Sequence, residues 1–125
     1  MVLGLLGRKV GMSRLLAEDG TFVPVTVIEA GPCVVTALRR PEQDGYTAVQ
    51  VGYLSVPKGR VNKPMAGHFA KNSARPCRLL REFRVDSLEG LTPGQELGAE
   101  LFEQGQLVDI RGVSKGKGFA GTVKR

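Results

Sequence analysis

Phe22-Val23-Pro24-Val25-Thr26-Val27-Ile28-Glu29 holds five β-branched residues in eight positions, a composition that suits a pleated strand. Glu18-Asp19-Gly20 stands just before it as a hairpin-type turn, so Met12 to Leu16 is predicted to pair with Phe22 to Glu29. Gly31-Pro32 ends the second strand. Beyond it, Cys33 to Leu38 and Tyr46 to Tyr53 form the next predicted pair, joined by a loop carrying Pro41 and Asp44-Gly45. Alternation places Thr47, Val49, Val51 and Tyr53 on one face. The four segments together predict an antiparallel meander.

The pattern dissolves from Val56 to Cys77 into Pro, Gly, Lys and Asn, with room for a short helix beginning at Pro64. Regular alternation returns at Arg81 to Val85, where Phe83 and Val85 point one way and Glu82 and Arg84 the other. Arg78, Arg81 and Arg84 recur every three residues, as on a helix, so helix and strand stay open there. Leu97 to Phe102 and Leu107 to Arg111 are further predicted strands, bounded by Pro93-Gly94 and Gln104-Gly105. No repeat of fixed period is present.

Composition agrees with a mainly β chain. Its 125 residues suit one folding unit, and 17 glycines with no Trp favour short strands and tight turns over a helical bundle. No run of about 20 apolar residues is present, and Arg8 and Lys9 follow the apolar opening instead of preceding it, so the start reads as mature sequence. Cys33 and Cys77 lie far apart without a CxxC arrangement, and a single His cannot complete a usual zinc set. They are expected to be reduced, buried thiols of a cytosolic protein, with no metal and no cofactor.

The 18 Lys and Arg against 12 Asp and Glu give a net charge of +6, which points to a polyanionic partner. More telling is how the charge is laid out. Lys58 to Arg84 holds eight basic residues and one acidic residue, Glu82. Val85 to Ile110 carries six acidic residues and no basic one, and Arg111 to Arg125 swings back to five positive charges. Such blocks suggest faces with different partners. The basic blocks are expected to meet RNA phosphates, and the acidic block solvent or a basic protein. The candidate RNA-binding residues are Arg8, Lys9, Arg14, Lys58, Arg60, Lys63, His68, Lys71, Arg78, Arg81, Arg84, Lys115, Lys117, Lys124 and Arg125.

Within the last block, Gly116 to Val123 matches the GxGxxGxV pattern of a kinase nucleotide loop. A kinase also needs a downstream strand lysine and two further acids, and a dinucleotide fold needs a helix and a ribose-binding acid. Neither context follows. The same glycines instead give a backbone that can approach a crowded phosphate chain, with Lys115 and Lys117 as point charges. Phe119 is expected to anchor on the domain, with stacking on a base as the alternative. His68 has no Asp or Glu within ten positions and no nucleophile motif to serve, so packing or RNA contact is expected of it and no catalytic role.

Four segments in order carry a resemblance: Gly4-Leu5-Leu6-Gly7-Arg8-Lys9-Val10-Gly11-Met12, Pro24 to Glu29, Ala66-Gly67-His68-Phe69-Ala70-Lys71, and Ser114-Lys115-Gly116-Lys117-Gly118-Phe119-Ala120-Gly121. With them the chain resembles the bacterial large-subunit ribosomal protein three family. Arg81 to Arg84, Tyr46 to Gly52 and Val108 to Ile110 fit as well, so the likeness covers essentially the whole sequence. It implies a translation-factor-type β-barrel with a small α+β, irregular basic insertion. On that pattern, barrel strands fall at about 1–56 and 97–125 and the insertion at about 57–96. It also implies a non-catalytic, cytoplasmic protein of the large ribosomal subunit that binds near the 3′ end of the large-subunit rRNA and helps nucleate assembly. Ribosomal proteins fourteen and nineteen are the implied neighbours, with no membrane and no small-molecule substrate.

In the family, the segment matching Ser114 to Gly121 leads into a long loop toward the peptidyl-transferase centre, and closing strands follow. The chain is therefore expected to be an N-terminal part with an incomplete barrel, exposed strand edges and marginal stability. Two other classes give different expectations. A nucleotide- or flavin-binding enzyme fragment would hold a cofactor phosphate in the glycine loop. A general RNA chaperone would show no preference for the rRNA 3′ region.

Overall fold

The computed structural model describes residues 3–124. It is mainly β, with two antiparallel sheets that do not close on each other, an incomplete barrel-like arrangement. β1 (Gly7–Leu16) and β2 (Phe22–Ala30) form a two-stranded ribbon. Its turn is built as the sequence predicts: Gly20 adopts a left-handed φ of 83°, and Asp19 Oδ1 accepts hydrogen bonds from the Thr21 amide and hydroxyl at 3.0 and 2.7 Å. Those two bonds hold the Asp19 carboxyl below its ordinary pKa. Pairing starts earlier than expected, at Gly7 against Ala30, and slips by one residue between Lys9 and Gly11. Most of the ribbon's apolar side chains, Met12 and Phe22 among them, remain exposed.

The second sheet has the order β5-β4-β3-β6, from β3 (Cys33–Arg39), β4 (Ala48–Ser55), β5 (Cys77–Arg84) and β6 (Glu96–Leu97). A single helical turn, α1 (Pro41–Asp44), joins β3 to β4, and α2 (Lys63–Lys71) joins β4 to β5. Two expectations need correcting. The four leading strands are not one meander, because Gly31, at φ 78°, turns the chain from β2 into a different sheet. The strands expected at Leu97 to Phe102 and Leu107 to Arg111 reduce to β6, after which Ala99–Leu101 forms a 3₁₀ turn and residues 103–121 carry no regular element. A strand needs a partner edge, and β6 holds β3 only at Cys33 and Val34.

The triplet spacing of Arg78, Arg81 and Arg84 resolves as strand: β5 pairs with β4 from Ala48↔Arg84 to Ser55↔Cys77. The packing follows from alternation. Val49, Val51 and Tyr53 of β4 join Cys33, Val35, Val85 and Leu97 in a core that Leu3, Leu5, Leu6 and Phe83 extend. Each fully buried aliphatic side chain there contributes about 1.5–3 kcal/mol. Both cysteines are buried free thiols, and burial raises the pKa of each.

The opposite face of β4 lies under α2. Asn62 caps that helix by accepting a hydrogen bond from the Met65 amide at 3.0 Å, and Pro64 fills its first turn. Phe69 is the helix's buried anchor, 2% exposed. Beside it the amide of Gln50 joins three elements. Its Oε1 accepts from Thr36 Oγ1 at 2.9 Å and lies 2.8 Å from His68 Nε2, while its Nε2 reaches Glu82 Oε1 at 3.4 Å. With the oxygen already turned to Thr36, a neutral His68 must carry its proton on Nε2. Glu82 also accepts from Tyr46 Oη at 2.5 Å and from Arg39 Nε at 3.0 Å.

This packing can be tested at three positions. A Cβ at Gly52 would sit 2.9 Å from Cys77 Cβ and Sγ and 3.0 Å from Thr36 Cγ2. Gly52→Ala should therefore lower stability by about 1–3 kcal/mol in urea unfolding. Gly67 in α2 has open space around the same position, so Gly67→Ala should raise stability by about 0.5–1 kcal/mol. Equal effects at the two sites would contradict the packing. The Tyr46 hydroxyl, then Arg39, holds the Glu82 carboxyl below its ordinary value of 4.5. A depressed folded pKa gives stability that is full above the unfolded value and is lost as pH falls through the folded one. Tyr46→Phe should raise the Glu82 midpoint in a carbon-13 NMR titration, and an unmoved midpoint would refute the assignment.

Candidate nucleic-acid interface

The candidate residues fall into three groups. Arg8, Lys9 and Arg14 lie on β1, all exposed. Arg8 pairs with Glu29 at 3.1 Å across the ribbon, but both side chains are half or more exposed, and such a pair costs little to exchange for a phosphate. Arg14 places its guanidinium 4.5 Å from the Phe22 ring centroid, which holds the cation against the ribbon without neutralising it.

The second group is the block from Lys58 to Arg84. Lys58 and Arg60 occupy a 3₁₀ turn that continues from β4. Lys63 and Lys71 sit eight residues apart on the exposed side of α2, so helical spacing brings them to one face. His68 turns inward to Gln50 and is half-buried. On β5, Arg78 and Arg84 share one face and Arg81 takes the other, because a strand alternates where a helix would have aligned them. Arg84 also lies 5.4 Å from the Tyr46 ring centroid.

The one acid of this block, Glu82, is engaged by Arg39, Tyr46 and Gln50. Of the eight cations, Arg75 is tied to Glu96 at 3.0 Å and to the Pro32 carbonyl at 3.4 Å. The other seven make no ion pair among the described residues. Arg40 and Arg111 are exposed cations that charge-block reading passed over as single residues. The inward network around Gln50 had no signal in the sequence, since its members lie in four separate segments.

The third group, Lys115 and Lys117, lies in the segment without regular structure and is exposed. Lys124 ends a 3₁₀ turn, Thr122–Lys124, and Arg125 lies outside the described residues. Phe119 corrects an expectation: it is fully exposed and anchors nothing on the domain. The glycines around it have open space where a Cβ would stand. Among the described residues no strand leads into this segment, so the strand that feeds a nucleotide-binding loop is not formed. No group of three or more His, Cys, Asp or Glu among the described residues is placed to hold a metal ion. Among those residues no helix is long and apolar enough to cross a membrane.

No family model matches the chain. Individual proteins do. It is 52% identical over its full length to the large ribosomal subunit protein uL3 of Desulforudis audaxviator (strain MP104C), of which it spans 59%. The uL3 of Acidothermus cellulolyticus (strain ATCC 43068 / DSM 8971 / 11B) is 55% identical over 99% of the chain, which spans 56% of that protein. For Bifidobacterium adolescentis (strain ATCC 15703 / DSM 20083 / NCTC 11814 / E194a) the identity is 56% over 97% of the chain and 57% of the relative. The chain thus spans less than two thirds of the length of the curated relatives it matches. With 52–56% identity over 97% or more of its residues, the chain is similar along its whole length to the N-terminal part of large ribosomal subunit proteins named uL3.

Proposed function

We propose that the chain is a non-catalytic, structural constituent of the large ribosomal subunit that binds large-subunit rRNA, chiefly through phosphates. The observation that carries this reading is a likeness to uL3 proteins along the whole chain, joined to seven cations of one block that have no acidic partner among the described residues. Cations without acidic partners, carried outward by the Lys58–Arg60 turn, α2 and β5, suit a phosphate backbone, which offers charge without a fixed apolar surface. The family likeness supports binding near the 3′ end of that rRNA, a part in nucleating subunit assembly, and a cytoplasmic location on the ribosome. Ribosomal proteins fourteen and nineteen are the proposed neighbours.

We also propose the division that the resemblance implies, with barrel strands at about 1–56 and 97–125 and a basic insertion at about 57–96. The insertion is then joined to the barrel strands through β5, which pairs along β4. The enzyme-fragment alternative finds no support in the unframed glycine segment. Arg8, Lys9 and Arg14 on the ribbon, the free cations of the central block and the lysines from Lys115 onward are the proposed contacts.

Filter binding to a 3′ large-subunit rRNA fragment tests this. Affinity should fall steeply with salt, and replacing Lys115 and Lys117 with Gln should flatten the log–log slope by about 1.5–2. An affinity independent of salt would remove the phosphate-contact reading. Equal affinity for an unrelated structured RNA would replace subunit-specific binding with general RNA chaperoning.

A further inference from the structure

We propose that the open groove between α2 and the free edge of β5 seats one unstacked nucleotide of RNA, with the base against its aliphatic side chains and the phosphate on its arginines. The inference rests on the RNA-binding reading above and adds a site at which a base, and not only the backbone, is held. The groove encloses about 440 Å³, within the roughly 300–1,000 Å³ of small-ligand sites. Val61, Met65 and Leu80 are among its apolar lining residues, and Arg60, Arg78 and Arg81 are its charged ones.

The charge of those arginines is uncompensated. No carboxylate lines the groove, and Arg60 and Arg78 make no ion pair among the described residues. Arg81 Nη1 donates to the neighbouring Leu80 carbonyl at 2.8 Å, which ties its guanidinium to the β5 backbone beside the groove. An apolar lining whose only charges are cationic fits a ligand with a flat apolar face and an anionic group. A nucleotide has both, and guanidinium planes stack on bases where no aromatic ring is available. Phe69 is too buried to serve as that ring.

A peptide strand is the other occupant that an open edge could take, since β5 has no partner on its outer side among the described residues. The arginines argue against it. A neutral strand would leave three arginines without counter-charge, and charged side chains along an edge oppose further strand pairing.

The methionines allow a direct test on the chain as it stands. With carbon-13 in the methionine methyls, Met65 reports on the groove and Met12, on the β1–β2 ribbon, serves as an internal control. Adenosine 5′-monophosphate at millimolar concentration should move the Met65 methyl upfield by ring current and leave Met12 in place. Ribose 5-phosphate should move neither. Arg78→Gln should weaken the Met65 response to the nucleotide about tenfold, the loss of one charge-assisted contact. The wild-type comparison of the two phosphates stands even where that variant fails to fold.

A silent Met65, or equal responses to nucleotide and ribose 5-phosphate, would overturn the base-seating site. A Met65 response to an alternating Val-Thr peptide with none to nucleotide would overturn it in favour of a protein strand. Titration with the 3′ rRNA fragment separates this inference from the reading beneath it. Tight rRNA binding with Met65 unmoved removes the groove and keeps rRNA binding. No rRNA binding, with Met65 still answering to the mononucleotide, removes rRNA binding and keeps the groove.

Discussion

β4 is held between β3 and β5 and covered on both faces, and each basic element of the central block hangs from it. One face gives Val49, Val51 and Tyr53 to the core. The other presents Gln50 and Gly52 beneath α2, where no side chain larger than hydrogen fits at Gly52 without displacing Cys77 or Thr36. A slip of one residue would exchange these faces, putting an amide into the core and a valine against His68. β5, with Arg78, Arg81 and Arg84, is hydrogen-bonded along β4, and the turn bearing Lys58 and Arg60 continues from it. Lys63 and Lys71 keep their place because α2 is tied to β4 through Phe69 and the contact of His68 with Gln50.

The polar network under α2 also explains the charge of the surface. Within Lys58 to Arg84 the one carboxylate, Glu82, accepts from Arg39, Tyr46 and Gln50, so its charge is matched at the sheet. Arg75 is matched by Glu96, a residue of the acidic block. The remaining cations face outward without a local counter-charge, and their fields add over distances comparable with a Debye length of about 8 Å in physiological salt. Folding thus separates structural charge from charge available to a polyanion.

The sequence was legible wherever structure is local. Asp19-Gly20 with flanking β-branched runs located the β1–β2 ribbon, alternation gave the core face of β4, and Pro64 marked the start of α2 within one residue. It was less legible where structure depends on partners. The triplet of arginines hid the length of β5, because only pairing with β4 decides between strand and helix there. Leu107 to Arg111 carries a strand-like composition and finds no partner strand among the described residues. The assignment of cations to surface groups was readable from charge blocks, whereas the inward turn of His68 and the hub at Gln50 arise from side chains brought together only by folding. Phe119 had a local reason to be an anchor, and the core offers it no place.

The central claim is that cations left unmatched by this fold dock the chain on one region of large-subunit rRNA. Hydroxyl-radical footprinting of intact large-subunit rRNA with the chain tests it most directly. Backbone protection should be concentrated near the 3′ end and lost when Arg78 and Lys71 are both replaced by Glu. Protection spread evenly over the rRNA, or unchanged in that variant, would contradict it.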